Sequence, residues 1–157
     1  MKQGTGMRWL AGCCLALGLA DWAGADEHGP RTPLLPLYQQ ECAACHLAYP
    51  PGMLPAASWR RLMGHLPQHF GTDASLDPAT VRKLAGWLEA NAATGRRART
   101  EPPQDRITRT TWFEHEHDEI SPSVWKRASV RSASNCIACH READRGLFDE
   151  DSVRIPR

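Results

Sequence analysis

Two pentapeptides constrain this chain more than any other feature: Cys42-Ala43-Ala44-Cys45-His46 and Cys136-Ile137-Ala138-Cys139-His140. Each reads Cys-x-x-Cys-His, the attachment signature of a c-type haem. The spacing has a chemical reason. Two cysteines three apart lie one helical turn from each other, so both sulfurs reach the two vinyl groups of one porphyrin. The histidine after the second cysteine turns under the ring and offers an imidazole nitrogen to the iron, which makes His46 and His140 the proximal ligands. Together the motifs use every cysteine beyond residue 20.

Other uses of paired cysteines fit poorly. A zinc site drawing on both pairs would have to bridge about ninety residues, far beyond zinc-ribbon spacing, and would leave both following histidines unexplained. A thioredoxin-like disulfide needs a strand-helix pattern around its cysteines, and the sequence has none there.

Length and charge set the frame. A chain of 157 residues makes one or at most two small domains. Its formal charge of +1 gives no basis for binding nucleic acid or an anionic membrane. Lys2 and Arg8 open a basic start, residues 9–20 form an apolar run of signal-peptide length, and Ala23-Gly24-Ala25 supplies the small-x-small cleavage site. The expectation is a cleaved signal peptide over residues 1–25 and a mature chain starting at Asp26. Leu10-Ala11-Gly12-Cys13 imitates a lipoprotein box, but the better apolar run follows Cys13 instead of preceding it. That run is also shorter than the ~20 residues that span a bilayer, so no membrane insertion is expected after cleavage. Export to the periplasm suits the motifs, because bacterial c-type haems are attached outside the cytoplasmic membrane and a bare Cys-x-x-Cys there would tend to oxidise.

Along the mature chain, residues 26–36 read as a polar, proline-punctuated arm that carries His28. A short helix leads into the first motif and closes at Tyr49-Pro50-Pro51-Gly52. Residues 54–66 form a helix with Trp59, Leu62, Met63 and Leu66 on one face, ended or kinked by Pro67. Asp77 caps the clearest helix, with Pro78 in its first turn and Val81, Leu84, Ala85 and Leu88 sharing a face, and Gly95 is its natural stop. Residues 94–104 are basic and proline-containing, a linker whose Arg96, Arg97 and Arg99 read as solvated surface. Short helices near 122–129 and 133–141 carry the second half through its haem motif, and an acidic tail at 146–151 loops back. The expected class is mainly α: short helices and long connecting loops packed around two covalently bound c-type haems, with halves 26–95 and 96–157 forming one compact dihaem domain.

A haem used only for electron transfer fills its sixth position with histidine or methionine. The remaining candidates are His28, His65, His69, His115, His117, Met53 and Met63. Met53 lies in a proline-glycine loop close to His46, and Met63 belongs to an apolar helix face, so core packing suits both. His65 and His69 sit four apart on either side of Pro67. His115 and His117, two apart among acids, face different ways. Local reasoning favours each pair over the lone His28 and leaves the choice within each pair open.

The chain resembles the small exported dihaem cytochromes c over most of its mature length. The likeness rests on ECAACHLAYPPGMLPAASWRRLM with HFG shortly after, WF followed by EH, NCIACH, and GLFDEDSVRIP. It implies His69 and His117 as the distal ligands of the first and second haems. It also implies a carrier that passes electrons between a membrane-bound b-type cytochrome and a soluble haem protein in the periplasm. Four histidines would leave neither iron a free position and would give lower potentials than histidine with methionine. The alternative is a haem enzyme or gas-binding protein, with one axial position open or displaceable.

Overall fold

The structure is a computed structural model that describes Met1 and residues 32–157. The expected signal segment, its cleavage site, Cys13 and His28 lie outside the described residues. Among the described residues the chain is mainly helical, with no strand and no helix long and apolar enough to cross a membrane.

Two helices carry the apolar core. Helix α1 (Pro36–Cys42) runs straight into the first haem motif and buries Tyr38. Helix α2 (Ala56–Gly64) turns Trp59 and Met63 inward, as the apolar face at i, i+4 requires. Helix α3 (Pro78–Ala90) packs against it through Leu84 and Leu88, both fully buried. Asp77 caps α3 by accepting hydrogen bonds from the Ala79 and Thr80 amides at 2.9 and 3.0 Å. Tyr38, Ala48, Leu54, Leu66 and the buried faces of α2 and α3 form one cluster, joined at its edge by Trp87.

The helix boundaries differ from expectation at both ends of this unit. Helix α2 stops at Gly64, and Pro67 sits inside a separate 3-10 turn at Leu66–Gln68. Helix α3 ends before Gly95, because Asn91 folds its side-chain amide back to the Trp87 carbonyl at 2.8 Å. Gly95 instead opens a 3-10 turn with a positive φ of 57°.

The second half is built from shorter pieces: α4 (Thr111–Glu116), α5 (Pro122–Trp125) and 3-10 turns. The second motif is such a turn, Cys136–Ala138, where the sequence predicts a longer helix over 133–141. Linker residues are fastened to α2, since Arg61 reaches Glu101 at 2.8 Å and Asp105 at 2.6 Å. Arg97 lies over the Trp112 ring at 4.7 Å. The C-terminal segment returns to the second motif, where the Arg154 amide donates to the Cys139 carbonyl at 3.0 Å.

Candidate haem sites

The second-half motif and the first-half motif border one cleft of about 570 Å³, lined by Cys45 and His46 on one side and by Cys136 and Ile137 on the other. None of the four motif cysteines is paired in a disulfide. Burial pushes the Cys42 and Cys136 thiols up to about 11 and also raises Cys139. Among the described residues no three Cys, His, Asp or Glu side chains gather to hold a bare metal ion.

The histidines gather in pairs. His46 faces His69 with ring centroids 6.0 Å apart and planes 24° from parallel. His117 faces His140 at 6.1 Å with planes 71° apart. Imidazoles bound to opposite sides of one metal at the usual metal–nitrogen distance have centroids roughly 6.3 Å apart. Both gaps match that span to within a few tenths of an ångström. Each motif histidine thus meets one distal candidate from its own half of the chain.

Local structure decides which histidine of each sequence pair points inward. His65 closes α2 and its Nδ1 donates to the Arg61 carbonyl at 2.9 Å, leaving the ring exposed. The 3-10 turn containing Pro67 then carries the chain round, and His69 enters with Phe70 and Gly71 at positive φ of 51° and 93°. His115 points to solvent, 4.0 Å from Asp118. His117, at the end of α4, donates from Nδ1 to the Phe113 carbonyl at 2.9 Å and stacks on the Phe113 ring at 4.1 Å. Met53 and Met63 are buried in the core.

Protonation in each pair follows from these bonds. A carbonyl only accepts, so His46 Nδ1, 2.6 Å from the Leu47 carbonyl, carries the proton and leaves Nε2 with its lone pair free. The same holds for His117. His69 and His140 each have a buried Nδ1 without a partner, and these are the only two such side-chain atoms among the described residues. Burial, reinforced by the facing histidine, lowers the pKa of both His69 and His140. Neutral imidazole is the form that binds a metal. The unsatisfied polar atoms, the free lone pairs and the metal-sized gaps all fall at the two pairs beside the cysteines, which is what two haem irons need.

Sequence reasoning missed Tyr49 as part of this site. Its ring stacks on His46 at 5.2 Å, and its hydroxyl donates to the Ser134 carbonyl at 2.7 Å, two residues before Cys136. Burial pushes that hydroxyl up to about 12, which keeps it a donor. Tyr38 in turn donates to the Tyr49 carbonyl at 2.9 Å. Tyr49 therefore ties the first haem's histidine to the second haem's attachment loop. A Tyr49→Phe variant keeps the stack and loses the tie. It should destabilise the holoprotein by about 1 kcal/mol, with faster amide exchange at residues 134–136, as read by denaturant melts and hydrogen exchange.

Comparison with known proteins points to the same cofactor. A family profile described as dihaem cytochrome c matches residues 38–148. The fold is similar to DHC purified from Rhodobacter sphaeroides, at 50% identity and a TM-score of 0.63, covering 73% of this chain and 96% of that one. It is similar also to the dihaem cytochrome c of Shewanella baltica OS155, at 39% identity and a TM-score of 0.68, covering 77% and 92%. A dihaem cytochrome c from Rhodobacter sphaeroides matches at 46% identity and a TM-score of 0.65, covering 74% and 100%. No curated protein sequence matches the chain. The chain belongs to the dihaem cytochrome c family and is a haem electron-carrying protein with two covalently attached haem c groups.

Proposed function

We propose that this protein is a periplasmic electron carrier in which both haems are bis-histidine and of low potential. Cys42 and Cys45 hold the first haem, with His46 and His69 as axial ligands. Cys136 and Cys139 hold the second, with His140 and His117. The observation that carries this reading is the pair of facing imidazoles, 6.0 and 6.1 Å apart between centroids. The haems supply the reversible one-electron change. The chain supplies neutral imidazoles, a hydrogen bond from His46 and from His117 that strengthens each as a donor, and the Tyr49 link between the two attachment segments. With histidine in all four axial positions neither iron keeps a free site for a substrate, so the protein is read as a carrier without chemistry of its own. Its partners are a membrane-bound b-type cytochrome on one side and a soluble periplasmic haem protein on the other. The sequence of residues 1–25 supports export, and the family resemblance supports the partners.

Electron paramagnetic resonance with redox titration tests the axial set. Nearly parallel and steeply crossed imidazole planes split the iron d orbitals differently. The oxidised protein should therefore give two low-spin signals of different shape, from planes 24° and 71° apart. Both haems should titrate below the range of histidine–methionine cytochromes. A high-spin signal from the resting protein would overturn the assignment.

A further inference from the structure

The two distal histidines are held in very different ways. His117 is fixed on three sides: its Nδ1 is bonded to the Phe113 carbonyl, its ring stacks on Phe113 at 4.1 Å, and Trp125 lies 5.8 Å away. Phe113 is itself buried, and the helix that carries it is capped by the buried Thr110. His69 has none of these supports. Among the described residues its Nδ1 has no partner, and beyond His46 its one ring neighbour is Phe70, edge-on at 4.9 Å and 47% exposed.

The backbone at His69 is nonetheless well held. Its amide donates to the Leu66 carbonyl at 3.2 Å, and its carbonyl accepts from the Thr72 amide at 3.0 Å. Arg106 covers Phe70 at 4.5 Å. The turn is thus fixed by its backbone, and the His69 side chain is the part that no hydrogen bond holds among the described residues. The second haem is held on both faces. His140 is tethered through its motif with its ring 5.3 Å from that of Phe148, and His117 is packed as described.

We propose that the first haem is a conditional binding site for a small neutral diatomic ligand of the carbon monoxide or nitric oxide kind, entered by displacing His69, and that the second haem is closed to it. The exchange breaks the coordinate bond from the His69 imidazole to ferrous iron and forms one to the diatomic, with no electron or proton transferred. This rests on the axial assignment proposed above, in which His69 occupies that position in the resting protein.

Carbon monoxide titration of the reduced holoprotein, read in the Soret band, tests it. Wild type should take up one carbon monoxide per protein. His69→Gly should still take up one, but faster by roughly 10- to 1,000-fold, because the histidine-off state no longer has to be populated first. His117→Gly should take up two. Uptake of none or two by wild type, two by His69→Gly, or one by His117→Gly overturns the proposal. A high-spin resting wild type marks failure of the axial assignment instead, so the two failures are distinct. If His69→Gly does not fold, the wild-type and His117→Gly stoichiometries decide alone.

Discussion

With His117 as the proposed ligand, a His117→Ala variant should turn the second haem's spectrum from low-spin to high-spin while the first keeps its low-spin signature. The potential of the second haem rises by on the order of 0.1 V, a modest part of the roughly 0.8 V that axial ligands span. The direction follows from the site. His117 Nδ1 donates to the Phe113 carbonyl, which makes Nε2 a stronger electron donor and favours the oxidised iron. Removing it withdraws that donation. The variant also loses an aromatic stack of about 0.5–1.5 kcal/mol and leaves a hole beside Phe113 and Trp125. Exogenous imidazole should return the low-spin spectrum, which a general loss of structure would not allow. Retention of low-spin signals at both haems without imidazole would mean that another side chain, His115 being the nearest in sequence, supplies the ligand.

The attachment motifs were legible because covalent chemistry fixes their spacing, whatever the surrounding fold. Helices α2 and α3 were legible because their apolar faces recur at helical intervals and Asp77-Pro78 marks a start. The choice between His65 and His69, or between His115 and His117, was not legible from local rules. His65 and His117 make the same bond, from Nδ1 to the carbonyl four residues back. Yet one ring faces solvent and the other faces a haem site, so only the packing of α4 against Trp125 separates them. Gly95 misled as a helix stop because an asparagine four residues earlier already satisfies the Trp87 carbonyl. Tyr49 was read as the close of a short helix. Its partner is 85 residues away, and no pattern within the first half carries that contact.

Loss of haem should unfold the second half while part of the first survives. The buried residues of the apolar cluster run from Tyr38 to Leu88, all in the first half, and from the second half Ile107 packs against them. The buried apolar residues of the second half, Phe113, Val124, Val130 and Ala143, stand outside that cluster. Its longest helix, α4, has six residues, well short of the roughly 12–15 at which even a favourable isolated helix becomes marginal. What the second half can bury against is a macrocycle, and apolar surface removed from water contributes about 25 cal/mol per Å². With all four motif cysteines changed to alanine, no thioether forms and neither haem is retained. Hydrogen exchange on that apoprotein should find residues 107–157 unprotected, with residual protection confined to α2 and α3, where Leu84 and Leu88 are fully buried. Circular dichroism should lose helical signal and melt without a sharp transition. With only Cys136 and Cys139 changed, the first haem should remain with a low-spin spectrum, and loss of protection should stop near the linker at Arg61, Glu101 and Asp105. A fully helical apoprotein that melts cooperatively would show that the chain folds without its haems and would overturn this account of its stability.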